Sequence, residues 1–197
     1  MIINMTDDFN LSRIADSGQC FRWQKLDENR YRILHGAYCL YIDDLGECQY
    51  NLSCDENQYK KIWKEYFDTE TNYREIRKKI DPMTDPFLWA AAEAEKGIRI
   101  LRQDPWEMLI TFIISQNRNI PAIKNSVELL VETCGEYKED DRGISYHAFP
   151  TPEAISSLSE SELISCRLGY RWKYVRSAAK AVTDRNIDLD DRAAAHS

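Results

Sequence analysis

No two of the six cysteines, Cys20, Cys39, Cys48, Cys54, Cys134 and Cys166, form a Cys-x-x-Cys pair, and the three histidines, His35, His147 and His196, lie far apart. That spacing argues against a zinc or iron–sulfur site, so no metal and no cofactor is expected. Cysteines scattered in this way read as reduced, mostly buried thiols. No apolar run approaches the ~20 residues a membrane helix needs. The N-terminal Met1-Ile2-Ile3-Asn4-Met5-Thr6 has no basic leader followed by an apolar stretch. A cytoplasmic chain with no membrane partner is therefore the expectation. Internal repeats and low-complexity tracts are also lacking.

Positive charge is scarce as well. With 26 Lys and Arg against 33 Asp and Glu, the formal net charge is −7, which argues against a surface that is basic throughout. One run departs from this: Arg167, Arg171, Lys173, Arg176 and Lys180 have no acidic residue between them. Taken alone, such a run reads first as a solvated helix face.

What is abundant is aromatic and helical patterning. In the first third, 20–25, 30–35, 37–43 and 47–52 are short aromatic and aliphatic runs broken by Asp27-Glu28-Asn29, Gly36 and Asp43-Asp44-Leu45-Gly46. They predict an antiparallel meander, with Phe21 and Trp23 packed beneath the sheet and Arg22 facing out. Near residue 55 the period changes. Tyr59, Ile62, Trp63, Tyr66 and Phe67 form one apolar helical stripe that Asp55 can cap, and 72–80 predicts a second short helix before Asp81-Pro82.

From residue 84 the pattern is helical almost throughout. A helix over 87–96 ends at Gly97, and Asp104-Pro105 opens a run from Trp106 to Ile114 that is apolar nearly all round and should be buried centrally. The polar cluster Ser115-Gln116-Asn117-Arg118-Asn119 interrupts it. A further helix carries Ile120, Ile123, Val127, Leu130 and Val131 on one face and stops at Gly135. Residues 136–149 read as a loop, Thr151-Pro152 and Ser159-Glu160 open two short helices, and 171–183 forms the last. The predicted class is α+β: an antiparallel sheet domain with helices over 1–83, then an all-α domain over 84–197.

Four stretches, in this order, resemble the family of 8-oxoguanine DNA glycosylases. They are Ser17-Gly18-Gln19-Cys20-Phe21-Arg22-Trp23, Leu101-Arg102-Gln103-Asp104-Pro105-Trp106-Glu107, Ser115-Gln116-Asn117-Arg118-Asn119-Ile120 and Leu168-Gly169-Tyr170-Arg171-Trp172-Lys173-Tyr174-Val175. Tyr146-His147-Ala148-Phe149-Pro150 also fits. The resemblance implies an N-terminal antiparallel sheet followed by a helix-hairpin-helix glycosylase domain. It implies a base-excision repair glycosylase/AP lyase acting on double-stranded DNA that contains an oxidised purine flipped out of the stack. It also implies roles: Gly18 offers its carbonyl to the N7 hydrogen of 8-oxoguanine, Asn117 enters the gap, Tyr170 is a wedge beside it, and Arg171 hydrogen-bonds the partner base. Each has a plainer reading: a turn glycine at Gly18, helix caps at Asn117 and Asn119, a core ring at Tyr170, a surface arginine at Arg171.

The family's nucleophilic lysine and its aspartate belong in and after a glycine-rich hairpin. The last glycine here is Gly169. No catalytic residue is therefore carried over; the expected Lys and Asp lie beyond Ser197, and Lys173 and Lys180 lack the family context. The expectation is an inactive fragment with an exposed apolar face or a self-association that covers one. Ala122 stands where some members have a second arginine, which implies a bacterial or archaeal branch. Two rival readings remain: a non-catalytic module that binds damaged duplex, and a helical interaction domain with no role on DNA.

Overall fold

Short aromatic strands build the first unit of the computed structural model, which describes residues 1–189. A five-stranded antiparallel sheet has the order β1-β5-β4-β3-β2, with β1 Ile2–Asn4, β2 Trp23–Asp27, β3 Arg30–His35, β4 Tyr38–Gly46 and β5 Gln49–Leu52. Strands β2 to β5 are the expected meander. Strand β1 pairs with β5 through Ile3 opposite Tyr50, and three residues are too few for a period to be read. Alternation puts Tyr31, Ile33, Leu40, Ile42, Tyr50 and Leu52 into the core.

Arg22 corrects one expectation. It is buried, only 4% exposed, because β2 starts at Trp23 and residues 20–22 bend, so the two-residue period does not reach them.

The core is closed by α1 (Leu11–Asp16) and by α2 over 56–66, whose middle, Tyr59–Trp63, is a π-helical turn. Asp55 caps α2 as expected, its side chain accepting from Gln58 N at 2.7 Å. Phe9 packs edge-on against Tyr50 and Phe67, with ring centroids 4.9 and 5.3 Å apart. The Trp23 indole N–H donates to the Tyr66 hydroxyl at 2.7 Å, which lets both rings be buried. Helix α3 spans Tyr73–Lys78, and α4 spans Pro86–Ala94 with Asp85 as its cap. Gly97 follows at φ 95°; a Cβ there would lie 2.7 Å from that of Asn10, so the close approach of the two chains requires glycine.

Contacts divide the chain into 1–33 with 40–102, and 34–39 with 103 onward, rather than at 83/84. The reason is that 95–102 is bonded into the first unit. Arg99, buried, donates to the Asp7 carbonyl at 2.8 Å, to the Asp7 carboxylate at 3.0 Å, and to the Thr71 and Asp68 carbonyls. Arg102 N donates to the Tyr66 carbonyl at 2.9 Å.

The second unit is helical, with one small hairpin. Helix α5 is Pro105–Ser115, α6 Ile120–Cys134, α7 Pro152–Ser157, α8 Glu160–Ser165 and α9 Trp172–Thr183. Residues 136–149, expected as a loop, contain the β6–β7 hairpin, Tyr137–Glu139 with Ser145–His147. Its strands are too short and polar to show a period. The caps follow the sequence: Asp104, Asn119, Thr151 and Ser159 each accept from a backbone N–H, and Ser159 with Glu162 makes a capping box. Ile110, Ile114, Val127, Leu130, Ile155, Leu163 and Val175 are fully buried. Helix α5 is not buried all round, however: Met108 and Phe112, one turn apart, face outward. The tail 190–197, part of the expected second domain and including His196, lies outside the described residues.

Arg99→Met should lower stability by about 3 kcal/mol, because it strands the Asp7 carboxylate and several carbonyls. A urea midpoint that falls with an unchanged slope would be the expected result.

Candidate nucleic-acid interface

Helix α5 ends at Ser115 because the chain turns there. Gln116 has φ −55° and ψ 120°, Asn117 has φ 52°, and Arg118 N donates to the Ser115 carbonyl at 3.2 Å. This is a type II turn, whose third residue must be left-handed, and asparagine is among the few side chains that accept that conformation. Asn117 is thus a turn residue with its side chain exposed, while Asn119 is the cap of α6, accepting from Ala122 N at 3.0 Å.

Across from this turn, residues 169–171 form a single 3-10 turn leading into α9. Arg171 is only 8% exposed, and its guanidinium is aimed at the 115–118 turn. Nε donates to the Gln116 carbonyl at 2.9 Å, and Nη2 reaches that same carbonyl and the Asn117 carbonyl at 3.5 Å. Nη1 lies 3.5 Å from the Leu168 carbonyl. The planar fork thereby serves carbonyls from both loops, a geometry a lysine cannot reproduce.

Tyr170 is 60% exposed, and its ring lies over the Arg171 guanidinium at 4.5 Å from the centroid. Tyr174 meets it edge-on at 6.3 Å. A cation on one side and a ring edge on another hold Tyr170 without covering it.

Three of the four expected residues, Asn117, Tyr170 and Arg171, are therefore in one cluster. Two of them are solvent-facing, and the third is bonded to backbone carbonyls. Gly18 belongs to the first unit. It follows α1 at φ 78°, the left-handed position past a helix end. The loop around it is held by Gln19, which accepts from Leu101 N at 2.8 Å and donates to the Arg99 carbonyl at 2.8 Å and the Ser17 hydroxyl at 2.9 Å.

The basic run does not form one charged surface. Arg171 is turned inward, and Arg176 donates to the Leu158 carbonyl at 2.6 Å and lies 5.2 Å from the Trp172 ring centre. Lys173 and Lys180 remain exposed on α9. Arg118, which the sequence reading did not single out, donates to Ser126 Oγ at 2.8 Å and to the Arg167 carbonyl at 3.1 Å. Burial, then the nearby Arg171 charge, lowers its pKa, and the guanidinium stays protonated. Its one sequence signal was its position inside the polar break. All six cysteines are free thiols; three are buried, two half-buried, and Cys48 is exposed. Burial, with Cys166 and Glu162 nearby, pushes the Cys134 thiol up to about 12. Among the described residues no group of His, Cys, Asp and Glu is arranged to hold a metal ion.

Two family models match this chain. The 8-oxoguanine DNA glycosylase N-terminal domain covers residues 1–109, and the HhH-GPD superfamily of base excision DNA repair proteins covers 110–195. An N-glycosylase/DNA lyase of Saccharomyces cerevisiae is 31% identical over 204 residues, covering 91% of this chain and 52% of that protein. The Arabidopsis thaliana N-glycosylase/DNA lyase OGG1 is 29% identical over 84% of this chain and 46% of its own length. The apo structure of Clostridium acetobutylicum 8-oxoguanine glycosylase/lyase superposes with a TM-score of 0.88 at 33% identity, over 96% of this chain and 65% of that one. The chain thus spans about half the length of these two lyases.

Replacing Arg171 with Lys should cost about 1–2 kcal/mol in thermal or urea unfolding, since one ammonium cannot replace Nε, Nη1 and Nη2 on the carbonyls of both loops. Hydrogen exchange at the Arg118 amide, which closes that turn, should accelerate in the variant. An unchanged rate would show that the turn holds itself.

Proposed function

Because the chain belongs to the 8-oxoguanine DNA glycosylase family, we propose that it acts in base-excision repair, as the part of an N-glycosylase/AP lyase that grips duplex DNA where an oxidised purine has left its stack. One observation carries this reading: Asn117 and Tyr170 are exposed side by side around a single buried guanidinium. Flipping a nucleotide costs a few kcal/mol in lost stacking. A rigid aromatic ring at the neighbouring step restores part of that, and a short amide in the gap can donate to and accept from base edges.

In this reading Gly18 supplies the carbonyl that accepts the N7 hydrogen of 8-oxoguanine, which guanine lacks. One neutral hydrogen bond contributes only ~1 kcal/mol net, so Gly18 alone discriminates less than tenfold. Partner-base contact is assigned to Asn117 and Arg171. No catalytic residue is assigned within the chain. Lys180 carries none of the family context, and Lys173 lies 5.6 Å from the Trp172 ring centre, with no assigned base beside it. From Ala122, where some family members have an arginine, we propose a bacterial or archaeal protein that acts on genomic DNA in the cytoplasm. We also propose that the apolar surface at Met83, 90% exposed, and Phe87, 84% exposed, pairs with that of a second copy of the chain.

Fluorescence anisotropy on duplexes with and without an abasic-site analogue tests the first proposal. The wild-type chain should prefer the abasic duplex, and Tyr170→Ala should erase the preference about tenfold, on the order of 1.4 kcal/mol. Equal affinity for both duplexes would refute the reading. Borohydride treatment with an 8-oxoguanine duplex should leave no covalent adduct on this chain; an adduct would show a nucleophile within residues 1–197. Sedimentation should report self-association that Phe87→Glu abolishes, whereas a monomer at all concentrations would overturn the pairing.

A further inference from the structure

Two loops carry the exposed pair, and each sends one arginine into the other. From the second loop, Arg171 bonds the Gln116 and Asn117 carbonyls of the first. From the first loop, Arg118 bonds the Arg167 carbonyl of the second at 3.1 Å. Ser126, fully buried on α6, joins both: it accepts from Arg118 at 2.8 Å and lies 3.2 Å from the same Arg167 carbonyl, to which it donates. The residues whose carbonyls are held include the two left-handed ones, Asn117 at φ 52° and Arg167 at φ 56°. A left-handed residue turns its carbonyl away from the preceding helix, so each loop end presents an acceptor that its own helix cannot satisfy. The opposite arginine satisfies it. No carboxylate pairs with either guanidinium among the described residues, so backbone carbonyls are what hold these two like charges close together.

We propose that Arg118 is a positioning residue: with Arg171 it forms a reciprocal clasp that fixes the spacing between Asn117 and Tyr170 before any duplex is met, and this pre-set spacing selects a duplex lacking one stacked base. The inference rests on the reading of Asn117 and Tyr170 given above. It assigns Arg118 no contact with DNA, since its Nη1 points to Ser126 and Arg167. Pre-organisation of this kind raises affinity by removing the ordering cost at the moment of binding. It acts only on the duplex whose gap matches the spacing, and leaves general phosphate attraction untouched.

The test compares wild type, Arg118→Gln and Arg118→Lys. Without DNA, Arg118→Gln should speed amide exchange at least tenfold in both loops, at Arg118 and at Arg171, while exchange in α6 stays unchanged. Acceleration confined to 115–119 would refute the clasp. With DNA, Arg118→Gln should lose at least tenfold of the preference for the abasic-site duplex while keeping its affinity for intact duplex. Arg118→Lys, which retains donors for Ser126 and Arg167, should recover most of that preference. Equal loss on both duplexes, with the salt slope falling by about 1, would make Arg118 a phosphate contact and overturn the proposal. A wild-type chain with no abasic preference would sink the duplex-gap reading, while the exchange measurement would still decide whether the clasp exists.

Discussion

The Arg171 guanidinium on the carbonyls of the 115–118 turn is the constraint around which the second unit's exposed surface is arranged. A buried cation needs acceptors, and here they are the carbonyls that a helix end leaves unpaired. The charge makes these bonds stronger than neutral ones, about 1.5–3 kcal/mol each where water is excluded. Three consequences follow from one side chain. The left-handed Asn117 is held in place, the Leu168–Arg171 turn is drawn to it, and Tyr170 gains a cation beneath its ring. An aromatic ring 60% exposed would otherwise sample several rotamers.

The same device recurs in the first unit. Arg99 is buried with its donors on the carbonyls of Asp7, Asp68 and Thr71, and its own carbonyl accepts from Gln19. Through Gln19 that network reaches the loop of Gly18, another left-handed residue at a helix end. In both units an arginine interior to the protein fixes a loop by donating to backbone carbonyls. This reconciles a formal charge of −7 with a nucleic-acid reading. Arg118 and Arg171 do not act as a basic coat; they are scaffolding, while Arg167 is exposed and the exposed charge on α9 is limited to Lys173 and Lys180.

The elements with a strong local signal are legible in the sequence itself. Strands β2 to β5 announced themselves by alternation and turn residues, and the caps Asp55, Asp104, Thr151 and Ser159 by their chemistry. What escaped was decided at long range. Arg22 is buried because the chain bends before Trp23, Met108 and Phe112 face outward on a helix whose composition suggested full burial, and 84–102 stays with the first unit because Arg99 and Leu101 bond there. Of the candidate site, the residue types and their loops were readable. The direction of Arg171 was not, since nothing in a sequence distinguishes an arginine aimed at carbonyls from one aimed at solvent.

That direction matters for how selectivity can arise. If a guanidinium already bonded to two loops is to touch a base, it must give up carbonyls or share its remaining N–H groups with them, and either course couples base contact to loop geometry. Ala122 offers no second guanidinium nearby, so the exposed amide of Asn117 is a freely placed hydrogen-bonding group at the turn's edge. An amide that can turn over accepts several partner bases, whereas a fixed guanidinium favours one. In the proposed function, a site built this way would discriminate by the shape of the vacancy first and by the identity of the opposite base second.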